Sequence, residues 1–206
     1  MPLELTGVAA DFADALAAVD ASRTAHKQFQ PGIGPFGEAD AARAALAWLK
    51  RCKPANYASA AIKRRPDLLI PGAWAMELEV IRPFGDNGKP AEHWSENALH
   101  PNPGNTSSLG DCIKLIKSGL PERKAVLIFG YEHTPAQVPL EVAVAAFELV
   151  ARQVLSVRLS ARVEPLRQGL IHPVHQQLRV YAYEVHERHT PSEQGITGES
   201  RSDSKS

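Results

Sequence analysis

This 206-residue chain has only two cysteines, Cys52 and Cys112. They stand far apart and in no metal-ligand spacing, which excludes a disulfide framework and argues against a zinc site built on cysteine. There is no surplus charge of either sign: Lys plus Arg and Asp plus Glu both total 23, for a formal net charge of +0. A chain-wide basic or acidic field is therefore absent, and any nucleic-acid site must arise from local charge segregation. No stretch approaches the ~18 uninterrupted apolar residues of a membrane span. The N-terminus, MPLELTGVAADFADALAAVD, lacks a basic leader ahead of an apolar core. No membrane partner is expected, and the expected location is cytoplasmic. No internal repeat is visible. What remains, 44% hydrophobic and 22% charged residues, is the composition of an ordinary globular protein. The expectation is one domain over residues 1–187 and a disordered polar tail, low in complexity, over 188–206.

Apolar residues recur at helical intervals from 8 to 28 (Val8, Phe12, Leu16, Val19), and a breaker, QFQPGIGPFG, follows. A second helix is predicted from Glu38 to about Lys53, ended by Pro54. Three short runs, YASAAIKR (57–64), DLLIPG (67–72) and WAMELEVI (74–81), read as consecutive antiparallel strands because so few residues separate them. Residues 82–106 are too rich in Gly, Pro and Asn for regular structure and carry Phe84, His93, Trp94 and His100, which favours a functional loop. A helix over 107–119, a doubly buried strand over 124–132, a helix over 140–159 and an alternating strand over 176–186 complete the order. That order predicts an α/β fold, with helices packed on one mixed sheet.

Within these apolar runs sit three carboxylates. Strand parity puts Glu77 and Glu79 on one face of 74–81 and Met76, Leu78 and Val80 on the other. A hairpin partner running from Asp67 would add a third acid beside them. Converging buried carboxylates repel one another unless cations or hydrogen bonds compensate. Hard oxygen ligands of this kind suit Mg²⁺ or Mn²⁺. The competing reading is an edge hairpin whose glutamates are solvated and whose Asp67 is a turn residue.

Pro66-Asp67, nine residues, then Glu77-Leu78-Glu79 resembles the PD-(D/E)XK signature of the restriction-endonuclease-like nuclease superfamily. The order from 38 to 132 (helix, three-strand meander, helix, strand) is similar to that superfamily's core, and the likeness covers about half the chain. The resemblance implies Mg²⁺-dependent hydrolysis of DNA phosphodiester bonds, of restriction or other defence type, by a homodimer. It implies that Asp67 and Glu77 hold the metal and that Asp67, Glu77 and Glu79 are catalytic. Position 79 departs from the usual pattern, which has Lys there. Glu79 either acts as a general base or metal ligand, as in a minority of restriction endonucleases, or marks lost chemistry in a nuclease-fold subunit that only binds nucleic acid or a partner. Lys63 and Lys114 are the available substitute lysines.

Arg82 and Lys89 follow the acid-bearing strand and are candidate phosphate contacts. Asn105 and Ser107 open the next helix, whose amides suit a phosphate, and Lys114 on that helix is a further candidate for the DNA backbone. Capping explains Ser107 equally well, and a solvated basic face explains Lys114. His172 and His175, three apart across a proline, are assigned no role.

Overall fold

The computed structural model describes residues 2–100, 107–155 and 157–187. Asn105 and the expected tail over 188–206 lie outside the described residues. The helices are α1 (Leu5–Ala21), α2 (Glu38–Cys52), α3 (Pro54–Tyr57), α4 (Glu96–Leu99), α5 (Ser108–Lys117) and α6 (Glu141–Gln153). The strands are β1 (Ala61–Ile62), β2 (Leu68–Ile70), β3 (Trp74–Ile81), β4 (Arg123–Glu132), β5 (Val157–Leu159), β6 (Leu166–Gln168) and β7 (Gln177–Glu187).

The seven strands form one sheet in the order β1-β2-β3-β4-β7-β5, with β6 also on β7. β1, β2 and β3 pair antiparallel, as their short connections require. β3 and β4 pair parallel, and α5 makes the crossover between them. The architecture is mixed α/β, an open seven-strand sheet flanked by helices on both faces.

Period-two alternation divides the central strands between two cores. Trp74, Met76, Leu78 and Val80 of β3, Leu127, Phe129 and Tyr131 of β4, and Leu178 and Val180 of β7 pack against α1 and α2. Ala75 and Ile81 of β3, Val126 and Ile128 of β4, and Tyr181 and Tyr183 of β7 pack against α5 and α6. Between Ala75 and Ile81, the α5 side of β3 is occupied by Glu77 and Glu79. The central strands come very close at Gly130, which pairs with Ile81. A Cβ there would stand 2.4 Å from the Ile81 carbonyl oxygen and 2.7 Å from Leu140 Cδ1.

Buried acids fasten α1 to its surroundings. Asp11 accepts from Tyr57 Oη at 2.9 Å and from the Lys53 ammonium. Asp20 accepts the amides of Ile33 at 2.9 Å and Ile171 at 2.8 Å, joining two loops through one carboxylate.

Several boundaries differ from the sequence reading, each for a local reason. α1 stops at Ala21 rather than 28, because Ser22 Oγ takes the Val19 carbonyl (2.6 Å) and Arg23 adopts φ 57°. Residues 54–57 form a helical turn started by Pro54, so only Ala61–Ile62 pairs as a strand. The helix expected over 140–159 ends at Gln153, and Val157–Leu159 turns back to pair with β7. Within 82–106, a Phe84–Pro90 bridge and α4 supply structure that the turn-rich composition concealed.

Candidate active site: a carboxylate cluster facing α5

The register that pairs Leu68 with Met76 puts Asp67, one residue before β2, opposite Glu77. Asp67 Oδ2 accepts the Leu78 amide at 2.9 Å, which fixes its carboxylate at the edge of β3. Glu77 lies beside Asp67, whose charge and hydrogen-bonding capacity favour the protonated form of Glu77. Burial, then the Asp67 bond and the charges of Asp67 and Asp111, push Glu77 up to about 9.

Glu79 forms a second such pair, with Glu38 at the start of α2. Burial first, then the Glu38 charge and hydrogen bond, raise Glu79 to about 10, although the Val80 amide donates to it at 3.2 Å. Glu38 rises to about 7, chiefly through burial and then through the Asp67 charge. Asp111 of α5 completes the group. Burial lifts it to about 6 against the opposing pull of Lys114, whose Nζ donates to Asp111 Oδ1 at 2.7 Å.

Glu77, Glu79, Glu38 and Asp111 are thus all raised, chiefly by burial and further by neighbouring carboxylate charge. Beside Glu77 a cleft of about 490 Å³ opens between the Arg65–Pro66 corner and α5, lined by Gly110, Lys114 and Lys117. Arg65, Lys114 and Lys117 give the cleft a cationic rim next to an acidic floor. This is local charge segregation in a chain of net charge zero.

Asp67, Glu77 and Glu79 lie on one face as strand parity expects, but among the described residues no three of these carboxylates bring ligand oxygens within 4.8 Å of one another: Asp67 neighbours Glu77, and Glu79 neighbours Glu38. Glu38 and Asp111 were not anticipated. Glu38 reads as a favourable first-turn acid of a helix, and its reach to Glu79 depends on how α2 lies against the sheet. Asp111 left a weak trace, because it sits among Leu109, Gly110 and Cys112, all buried with it on α5.

The expected phosphate contacts fare unevenly. Lys114 is at the cleft. Lys63 is exposed at the end of β1, where its amide donates to the Asp67 carbonyl at 3.0 Å. Arg82 continues the opposite parity of β3 and donates through Nη1 to the Gly34 carbonyl at 2.7 Å, so it braces a loop away from the acids. Lys89 lies exposed in a turn closed by Asn87 Oδ1. Ser107 is fully buried as the cap of α5: its Oγ accepts the Gly110 amide at 3.2 Å and donates to the His100 carbonyl. Its hydroxyl is spent on the helix and is not presented to the cleft.

Among the described residues, no helix is long and apolar enough to cross a membrane. Comparison with protein-family models, curated proteins and solved structures finds no match to this chain.

Proposed function

We propose that this chain is a Mg²⁺- or Mn²⁺-dependent endonuclease that hydrolyses DNA phosphodiester bonds, with Asp67 and Glu77 as the principal metal ligands. The observation that carries the reading is the placement of Asp67 opposite the buried Glu77, with buried Glu79 on the same face, beside a cleft lined by Arg65, Lys114 and Lys117. The donor set is all oxygen, as these hard ions require. The retained protons are the positive charge that a cation would replace. The element order from α2 to β4, with Asp67 just ahead of β2 and Glu77 and Glu79 on β3, supports the restriction-endonuclease-like resemblance. Restriction or defence biology and a homodimer follow only from that resemblance.

Bound there, the ion supplies Lewis acidity toward a phosphoryl oxygen and lowers the pKa of its water. The chain's own groups have separate tasks. Asp67, held by the Leu78 amide, orients the ligand pair. The Lys114 ammonium, fixed by Asp111, stands by Glu77 and is suited to a phosphate oxygen. Arg65 and Lys117 line the approach and attract the backbone. Glu79, beside Glu38, would be the group placed to accept a proton from the attacking water.

A second reading rests on position 79. Where the family pattern has an ammonium, this chain has a carboxyl paired with Glu38, and a nuclease-fold subunit that binds nucleic acid or a partner without cutting would also accept that exchange. Incubation of plasmid DNA with the purified chain in Mg²⁺ or Mn²⁺ decides between them. Cleavage that falls by at least about a hundredfold in Asp67→Asn and Glu77→Gln supports the nuclease. Undiminished cleavage by both variants refutes the site. Retention of DNA without cleavage under either ion favours the second reading.

A further inference from the structure

Asp86, in the turn after β3, meets His172 and His175, in the loop that leads into β7. One ligand atom from each lies within 4.8 Å of the others. The histidines are 0% and 1% exposed, and their rings stack with centroids 4.6 Å apart. His175 also leans on Tyr131, whose side chain belongs to the α1 face of the sheet. Glu77 and Glu79 occupy the other face.

Hydrogen bonding fixes what His175 offers. Its Nε2 lies 3.1 Å from the Phe84 carbonyl oxygen, which only accepts, so Nε2 carries the proton and Nδ1 keeps its lone pair. That Nδ1 is buried without a partner and faces Asp86 Oδ1 at 3.9 Å. With the proton on Nε2, His175 Nδ1 and Asp86 Oδ1 are two lone-pair atoms that confront each other with no hydrogen between them. His172 is satisfied on one side only. Its Nδ1 accepts hydrogen bonds from the Val174 and His175 amides at 3.2 and 3.3 Å, and its Nε2 is buried without a partner. Asp20 and Asp86 both direct negative charge at it.

We propose that Asp86, His172 and His175 form a second divalent-metal site, of the two-histidine, one-carboxylate type, which takes Zn²⁺ or a similar borderline transition ion. Imidazole nitrogen selects such ions over Mg²⁺, so the site differs in chemistry from the all-oxygen cluster on the other face. Zinc bonds of about 2.0–2.2 Å at a near-tetrahedral angle put ligand atoms roughly 3.3–3.5 Å apart. The 3.9 Å separation of Nδ1 and Oδ1 closes to that with a small movement of Asp86, which is half-buried on a turn and borders solvent. The ion also has to outcompete the amide hydrogen bonds at His172. The Nε2–H bond of His175 to a backbone carbonyl is the outer-sphere support that metal-binding imidazoles ordinarily have. An ion here would clamp the turn at 84–90 to the loop at 170–176.

The test is a titration of the chelator-stripped full chain with Co²⁺, a visible-absorbing stand-in for Zn²⁺. One equivalent should bind with ligand-field bands that Zn²⁺ abolishes and excess Mg²⁺ does not. His175→Ala and Asp86→Asn should each weaken binding at least tenfold, while Glu77→Gln should leave the bands intact, which separates this site from the proposed nuclease centre. Asp86 lies on a half-buried turn, so circular dichroism of its Asn variant should match the wild type and assign any loss of binding to the missing ligand. Absence of bands in the wild type, their survival in the His172→Ala, His175→Ala double variant, or their loss in Glu77→Gln would overturn the proposal.

Discussion

Replacing Glu79 with Gln should make the metal-free protein more stable. Glu79 is 4% exposed, and in the fold burial and the neighbouring Glu38 push its pKa up to about 10 from an ordinary 4.5. A carboxyl raised in this way holds its proton in the folded state and loses it on unfolding. The folded state therefore binds more protons, and stability falls as pH rises from about 4.5 toward the folded value. Each unit of difference is worth about 1.4 kcal/mol. At pH 8 roughly three and a half units count, a ceiling of about 5 kcal/mol. Glu38 lies beside it and is itself raised, and relief of one member relieves the pair only in part, which brings the expected gain to about 2 kcal/mol. Glutamine keeps the contact to the Val80 amide and donates to Glu38, so nothing is left unpaired. For a domain of this size the gain corresponds to about 4–8 °C in Tm. Thermal unfolding in chelator, at pH 8 and again at pH 5, measures it. The reasoning requires a large gain at pH 8 that shrinks at pH 5. Destabilisation at pH 8, or an equal gain at both pH values, would refute it.

Divalent metal should likewise raise the wild-type Tm most at high pH, and should release protons on binding, as calorimetry in buffers of different ionisation enthalpy would show. Binding without proton release would contradict the protons held by Glu77 and Glu79. Lys114→Met should reduce DNA cleavage by at least about tenfold and raise the Asp111 pKa above its value of about 6, since its main opposing partner is gone. An unchanged Asp111 titration by NMR would show that Lys114 does not act there. Gly130→Ala should destabilise the fold by about 3 kcal/mol or more, because the added methyl meets the Ile81 carbonyl of the neighbouring strand. A denaturant midpoint equal to wild type would mean that β3 and β4 separate freely. Asp20→Ala strands two buried amides and should cost about 2–4 kcal/mol, read by the same method.

The floor of the candidate site was legible because it rests on parity. Eight residues of β3 alternate, and the short link from β2 fixes the register, so Glu77, Glu79 and Asp67 had to share one face once the hairpin formed. The burial of 124–132 on both faces was legible in its continuous apolar run, whereas its parallel pairing with β3 came only from the structure. Glu38 and Asp111 were hidden because their role depends on where α2 and α5 dock, a long-range outcome without periodic signature. Arg82 and Ser107 misled in the other direction: their chemistry suits phosphate, but nearby backbone groups claim it first. The His172–His175 pair was passed over because helical spacing was the only geometry in which three-apart ligands were weighed, whereas a loop stacks the rings directly.

The claim that matters most is that the carboxylate cluster is a divalent-metal site, and anomalous scattering from a crystal soaked in Mn²⁺ tests it most directly. A peak about 2.1–2.3 Å from carboxylate oxygens of both Asp67 and Glu77, lost in Glu77→Gln, is the expected result. Density absent from that position at saturating Mn²⁺, or a peak that persists in the variant, would contradict it.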